Sequence, residues 1–207
     1  MIRQPTSTFE YYSAVTSVQH SPPAPFGKRR RGEVELGPGE WAVLALLTEK
    51  PRHGWALANE LAAETELGAV WTFTRPHVYL SIDRLVQRGL IVRTGFERGE
   101  RGPNRTIFQP TPAGRRALAH WLREPVERIG DARPLLLLKL LLSARIGLDD
   151  LPLLEAQHRL YAEAADSLAS SPRPSSSARA ILVRFQLEST LGLLCFIERL
   201  LESRSVA

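Results

Sequence analysis

The chain has 207 residues, 43% of them hydrophobic, a single cysteine and a formal net charge of +5. That much apolar content supports a packed core and excludes a chain disordered throughout, while one cysteine excludes an internal disulfide framework. The charge is uneven: residues 75–123 hold ten basic and three acidic side chains, whereas residues 36–74 hold two and five. Every basic side chain in the richer segment is arginine, whose planar fork suits phosphate oxygens and base edges. Basic patches also meet RNA or acidic proteins, so charge alone does not choose the partner.

Residues 1–33 read as a disordered basic extension. Pro, Ser, Thr and Gln are frequent, Ser21-Pro22-Pro23-Ala24-Pro25 is a stiff extended spacer, and Lys28-Arg29-Arg30-Arg31 closes the segment. It is either a solvated tail or an arm that follows DNA phosphates or enters a minor groove. Met1 to Pro25 lacks the apolar core of a secretory signal. The run Pro134 to Leu142 is broken by Lys139 and falls far short of the ~20 residues of a membrane span. The expected location is the cytoplasm, with no membrane partner.

The folded part begins with a helix over Leu36 to Thr48, on which Trp41, Leu44, Ala45 and Thr48 recur at helical spacing. Lys50-Pro51-Arg52-His53-Gly54 reads as a turn. A second helix is predicted over Trp55 to Leu67, with Leu57, Ala58 and Leu61 inward, and Gly68 to Phe73 as a connector. The third helix runs from Thr74 to Gly89. Val78, Ile82 and Leu85 share one face, Thr74 is placed to cap it, Pro76 is tolerated in its first turn, and Gly89 supplies its left-handed end. The outward face carries His77, Leu80, Ser81 and Arg84, with Tyr79 at the edge of the buried stripe.

Leu90, Ile91 and Val92 then read as a strand, Thr106, Ile107 and Phe108 as its return. Between them lie Gly95, Gly99, Gly102 and Pro103 and the arginines at 93, 98, 101 and 105. Three helices followed by a two-stranded, arginine-bearing hairpin define a winged helix-turn-helix. In that architecture the third helix enters a major groove and the wing meets an adjacent groove or the backbone. Arg84 is the candidate for a forked guanine contact and Leu80 for a thymine methyl. Arg98, Arg101 and Arg105 are candidates for phosphates or a minor groove. A further helix follows, capped by Thr111 with Pro112 at its first position, and carries Leu118 and Trp121.

VYLSIDRLVQRGLI and RGPNRTIFQPTPAGRRAL closely resemble the recognition helix, wing and following helix of PadR-like transcriptional regulators. The residues that carry the resemblance are Tyr79, Arg84-Leu85, Gly89-Leu90, Thr111 and Gly114, and it spans roughly residues 36 to 123. Two departures are visible: Val86 stands where the family usually has an acidic residue, and Ile107-Phe108 where it usually has a tyrosine pair. The resemblance implies a DNA-proximal Tyr79, a two-fold dimer made by C-terminal helices, and, for some members, a flat aromatic effector held between the halves.

Beyond Arg123 the sequence predicts three helices. One, over Asp131 to Gly147, is apolar nearly all round; the next starts at Asp150-Leu151-Pro152 and runs to Leu168. After a loop at Pro172 to Ser177, a long last helix spans Arg179 to Glu202, with Cys195 read as a small core residue. The four tryptophans read as core anchors. The expected architecture is therefore mainly α with a small two-stranded β wing: a winged helix-turn-helix domain over 34–123 followed by an α-helical dimerisation domain over 124–207.

His20, His53, His77, His120 and His158 are scattered without metal-ligand spacing, and neither a phosphate-binding glycine loop nor a GxSxG element is present. No catalytic site, metal or cofactor is expected. The predicted function is sequence-specific binding of double-stranded DNA by a homodimeric transcriptional regulator, a repressor by preference, with a small-molecule effector as a further partner. The alternative is a winged-helix module whose wing arginines meet an acidic protein.

Overall fold

In the computed structural model, residues 36–98, 104–170 and 176–205 are described. The N-terminal extension and the wing turn with Arg101 therefore lie outside the described residues, as does most of the predicted loop at 172–177. The described residues form one compact unit. Its elements are α1 (Pro38–Glu49), β1 (Arg52–His53), α2 (Gly54–Glu60), α3 (Glu66–Val70), α4 (Arg75–Gln87), β2 (Ile91–Glu97), β3 (Arg105–Pro110), α5 (Pro112–Arg123), α6 (Ile129–Ile146), α7 (Leu151–Ala169) and α8 (Ser177–Ser205).

Helix α1 is the central post of the first core. Residues 40–47 are all buried, because α4, α5, α6 and β3 surround it. Val78, Ile82 and Leu85 of α4 face it, as their spacing predicts, and Gly89 takes φ +67° to end that helix. The predicted second helix is instead two short ones. It stops after Glu60 because Thr65 caps a new start: its hydroxyl accepts from Gly68 N and donates to the Glu60 and Ala62 carbonyls. A Cβ on Gly68 would lie 1.8 Å from the Ala62 carbonyl oxygen, so only glycine allows this corner.

The sheet has one strand more than expected. Arg52 and His53, predicted within a turn, pair antiparallel with Phe108 and Ile107, giving the order β1-β3-β2. Thr74 does not cap α4 with its side chain; its hydroxyl goes to His77 Nδ1 at 3.1 Å. Thr111 does cap α5, accepting from Gly114 N and donating to the carbonyls of Gly89 and Leu90.

Helix α6 belongs to two cores. Leu138 and Leu142 pack with α1, Leu67 and Leu118, while Ala132 and Leu136 pack with Leu153, Leu154, Tyr161 of α7 and Ile197 of α8. Two polar ties reinforce its first contact. Arg145 reaches Glu49 and Glu60, which also hold the buried Arg52. Desolvation pushes the Glu60 carboxyl upward, but Arg52 and Arg145 outweigh it and hold it below the ordinary value. Lys139, almost fully buried, donates to the carbonyls of Trp121 and, at 2.6 Å, Glu124 at the end of α5, with its ammonium 4.5 Å from the Trp121 ring centre.

Cys195, expected in the core, is exposed. The run Leu193 to Ile197 is apolar on every side, so spacing could not phase it; the buried line of α8 passes through Thr190 and Ile197 instead. Ile181, Leu182, Phe185, Leu191 and Phe196 stand in solvent on the same helix. By length and composition alone, Ser177–Arg204, rather than the run 134–142, is long and apolar enough to cross a membrane.

Candidate nucleic-acid interface

The outward face of α4 is built by what lies behind it. Val78, Ile82 and Leu85 fix its rotation against α1, leaving His77, Tyr79, Leu80 and Arg84 outside. Tyr79 lies against α2: a Cβ on Gly54 would come 2.6 Å from the Tyr79 ring, so the missing side chain at Gly54 makes room for it. Leu80 and Tyr79 are each about half exposed. Ser81, expected on the outward face, is buried. It lies three residues after Val78 and four before Leu85, which places it on the inward stripe, and its hydroxyl sits where a Cβ on Gly39 would meet it at 3.0 Å. Ser81 therefore allows the close approach of α1 rather than facing solvent.

Arg84 has a partner within the chain. Its Nη1 donates to Glu40 Oε1 at 2.9 Å; the arginine side chain is 52% exposed and the glutamate 6%. One nitrogen of the fork is thus held, and the guanidinium is oriented at the surface rather than free to sample rotamers. Glu40 is invisible as a functional residue in the sequence, because the partners lie 44 residues apart.

On the wing, Arg98 is exposed at the end of β2. Arg105 stands 5.0 Å over the Trp55 ring and its Nη1 is 3.4 Å from His53 Nε2, which in turn lies 3.7 Å from Glu97 Oε2. Trp55, expected to anchor the core, is 45% exposed and serves as the platform on which Arg105 rests. A cation over an indole is worth about 0.5–1 kcal/mol at an exposed site. His53 itself caps α2, its Nδ1 accepting from Ala56 N. So β1, the unexpected strand, joins the base of the wing to the helices. Of the other three tryptophans expected to anchor the core, Trp41 is buried and stacks on the half-buried Trp121 at 4.9 Å, and the half-buried Trp71 stacks on Phe73. Among the described residues no group of three or more His, Cys, Asp or Glu side chains could hold a metal ion.

Helices α2 to α4 set on α1, with a hairpin beyond them, make a winged helix-turn-helix. Residues 43–120 match the model of the Transcriptional regulator PadR-like family. Among solved structures the chain is similar to Bacillus subtilis PadR in complex with operator DNA, at 19% identity and a TM-score of 0.38, over 78% of this chain and 97% of that one. It is similar to smu.1604c from Streptococcus mutans UA159 at 17% identity and a TM-score of 0.38, over 79% and 98%. Bacillus subtilis PadR in complex with p-coumaric acid gives 17% identity and a TM-score of 0.35, over 79% and 93%. No curated protein matches the sequence.

Proposed function

We propose that this protein binds a specific double-stranded DNA operator as a homodimer and represses transcription by occupying it, with residues 34–123 reading the duplex and residues 124–207 pairing the copies. The observation that carries the reading is the rigidly backed outward face of α4, with His77, Tyr79, Leu80 and an oriented Arg84, next to a wing that presents Arg98 and Arg105. Short polar and apolar side chains on a fixed helix reach base edges, and flanking arginines neutralise phosphates. Arg101 is assigned to the same phosphate contacts from its place in the sequence. The exposed apolar side of α8 supports pairing with a second copy, which sets two recognition helices one DNA turn apart.

Release by a flat aromatic carboxylate, the kind of compound bound in the Bacillus subtilis PadR complex, is part of the proposal. A cleft of about 260 Å³ between α3 and α6, lined by Ala69, Val70, Arg133, Pro134 and Leu137, offers apolar walls and one guanidinium for such a ligand.

The test is binding to duplex DNA from the gene's own upstream region, followed across salt concentration. Affinity should fall linearly on a log–log plot, by about 0.9 decade per decade of salt for each phosphate contacted, and a scrambled fragment should bind far more weakly. Failure to bind any duplex at low ionic strength ends the proposal and leaves the protein-interaction module.

A further inference from the structure

Phe96 is the most exposed of the large apolar side chains among the described residues, with 74% of its surface in solvent, and it sits in the middle of a basic wing. Its direction follows from the register. Arg93 pairs with Phe108 and Phe96 with Thr106, while the chain slips between Arg93 and Gly95. Phe108 and Thr106 are two positions apart on β3, so Arg93 and Phe96 share a face even though they are three positions apart on β2. Without the bulge they would point to opposite sides. That face is the one Phe108 uses for the core, but Phe96 lies outside the buried cluster and leaves its ring largely in solvent. The acidic neighbour is turned away: Glu97 pairs across with Arg105 on the other face and reaches toward His53. Arg93 and Arg98, both exposed, flank the ring three residues before and two after.

We propose that Phe96 is an apolar wedge that enters the minor groove beside the site read by α4 and partly unstacks one base step, while Arg93 and Arg98 hold the phosphates on either side. An exposed apolar ring between two cations fits a surface that is itself aromatic between two anions, which is what a base step between its phosphates offers. A flat apolar protein surface would leave both arginines without partners. An acidic protein would satisfy the arginines and leave the ring in water. The inference rests on the duplex-binding proposal above and adds a deformation of the duplex to it. Flexible pyrimidine–purine steps open most easily, so the wedge also makes the protein prefer such a step at a position where it reads no base edge.

The test uses the full-length protein and its upstream duplex, with 2-aminopurine placed in turn at each step flanking the protected site and dyes at the two ends. Wild type should brighten 2-aminopurine at one step and shorten the end-to-end distance. Phe96→Ala should lose both signals and bind about 10- to 100-fold more weakly with an unchanged salt slope, and Phe96→Leu should keep most of the effect. The ring is exposed, so neither variant threatens the fold. If Phe96→Ala retains affinity, brightening and bend, the wedge is refuted. A Phe96→Ala protein that instead changes oligomeric state assigns the ring to a second copy and refutes it equally. Wild type that binds no duplex removes the underlying reading, an outcome visible before any variant is made.

Discussion

Arg84 illustrates how one side chain serves two masters. Its bond to Glu40 ties α4 to the first turn of α1, and the glutamate is buried enough that leaving it unpaired is costly. Arg84→Ala should therefore lower stability by about 1–3 kcal/mol, the penalty for an abandoned buried acceptor, as measured by urea denaturation. It should also relax preference at one base pair by about 1–3 kcal/mol in a selection from randomised operators. Glu40→Gln keeps the volume and should spare most of the stability while loosening the guanidinium, so that the same base pair is relaxed. Stability lost with the base preference intact would make Arg84 a strut alone. At this scale the sequence was informative about exposure and poor about partners. Helical spacing put His77, Leu80 and Arg84 outside, where they are. Ser81 is buried although its polarity predicts an outward place, because it lies on the same three- and four-residue steps as the stripe. The Arg84–Glu40 pair and the Arg105–Trp55 stack join residues 44 and 50 apart, and no local pattern encodes such pairs.

Elements were legible where periodicity or caps mark them and obscure where tertiary contacts decide. The ends of α4, α5 and α7 follow from Gly89, from Thr111 with Pro112, and from Asp150 with Pro152. The break between α2 and α3 falls among good helix formers, and β1 is two residues long; both depend on what the rest of the chain presents to them. The corner between β2, β3 and α5 is tight: a Cβ on Gly114 would lie 2.2 Å from the Leu90 carbonyl oxygen. Gly114→Ala must push backbone aside and should destabilise by about 3 kcal/mol or more, seen as a fall in thermal midpoint. The joint between α5 and α6 carries a different signature. Burial pushes the Lys139 ammonium down to about 8 from its ordinary 10.5, against an opposing pull from Glu124. Between those values the unfolded chain binds more protons than the folded one, so stability should rise with pH from about 8 upward, by up to ~3 kcal/mol in full. Tyr161 acts the other way: burial, with Asp131 adding to it, lifts its hydroxyl to about 12, so the fold loses ground only above the ordinary phenol value near 10. Urea midpoints measured between pH 8 and 10 isolate the lysine, and Lys139→Met should flatten the rise in that window.

The whole molecule poses the question of what covers α8. One side of that helix is settled: Leu193, Leu194, Ile197, Leu200 and Leu201 pack against α6 and α7. The same helix shows Ile181, Leu182, Phe185, Leu191 and Phe196 to water, five large apolar side chains on one element. A lipid bilayer would accept it by length and hydropathy. Yet Arg179, Arg184 and Glu188 share the helix, and Arg184 and Glu188 pair with each other at 2.7 Å at its surface, an arrangement suited to the polar rim of a protein interface. Arg204 is likewise bonded to Asp150 at the start of α7, tying the helix end to protein. A second copy is the economical occupant, since a two-fold axis brings the same stripe to itself. The protein should then scatter light as a dimer at micromolar concentration. Leu182→Glu with Phe185→Glu should yield a monomer of unchanged helix content, because both side chains are already in solvent in the single chain. Such a monomer presents only one recognition helix and one wing, so it should bind a half-site as before and an intact operator no better than a half-site. Wild type that remains monomeric, or that partitions into neutral lipid vesicles with its helix content intact, would assign the bare face of α8 to something other than its own copy.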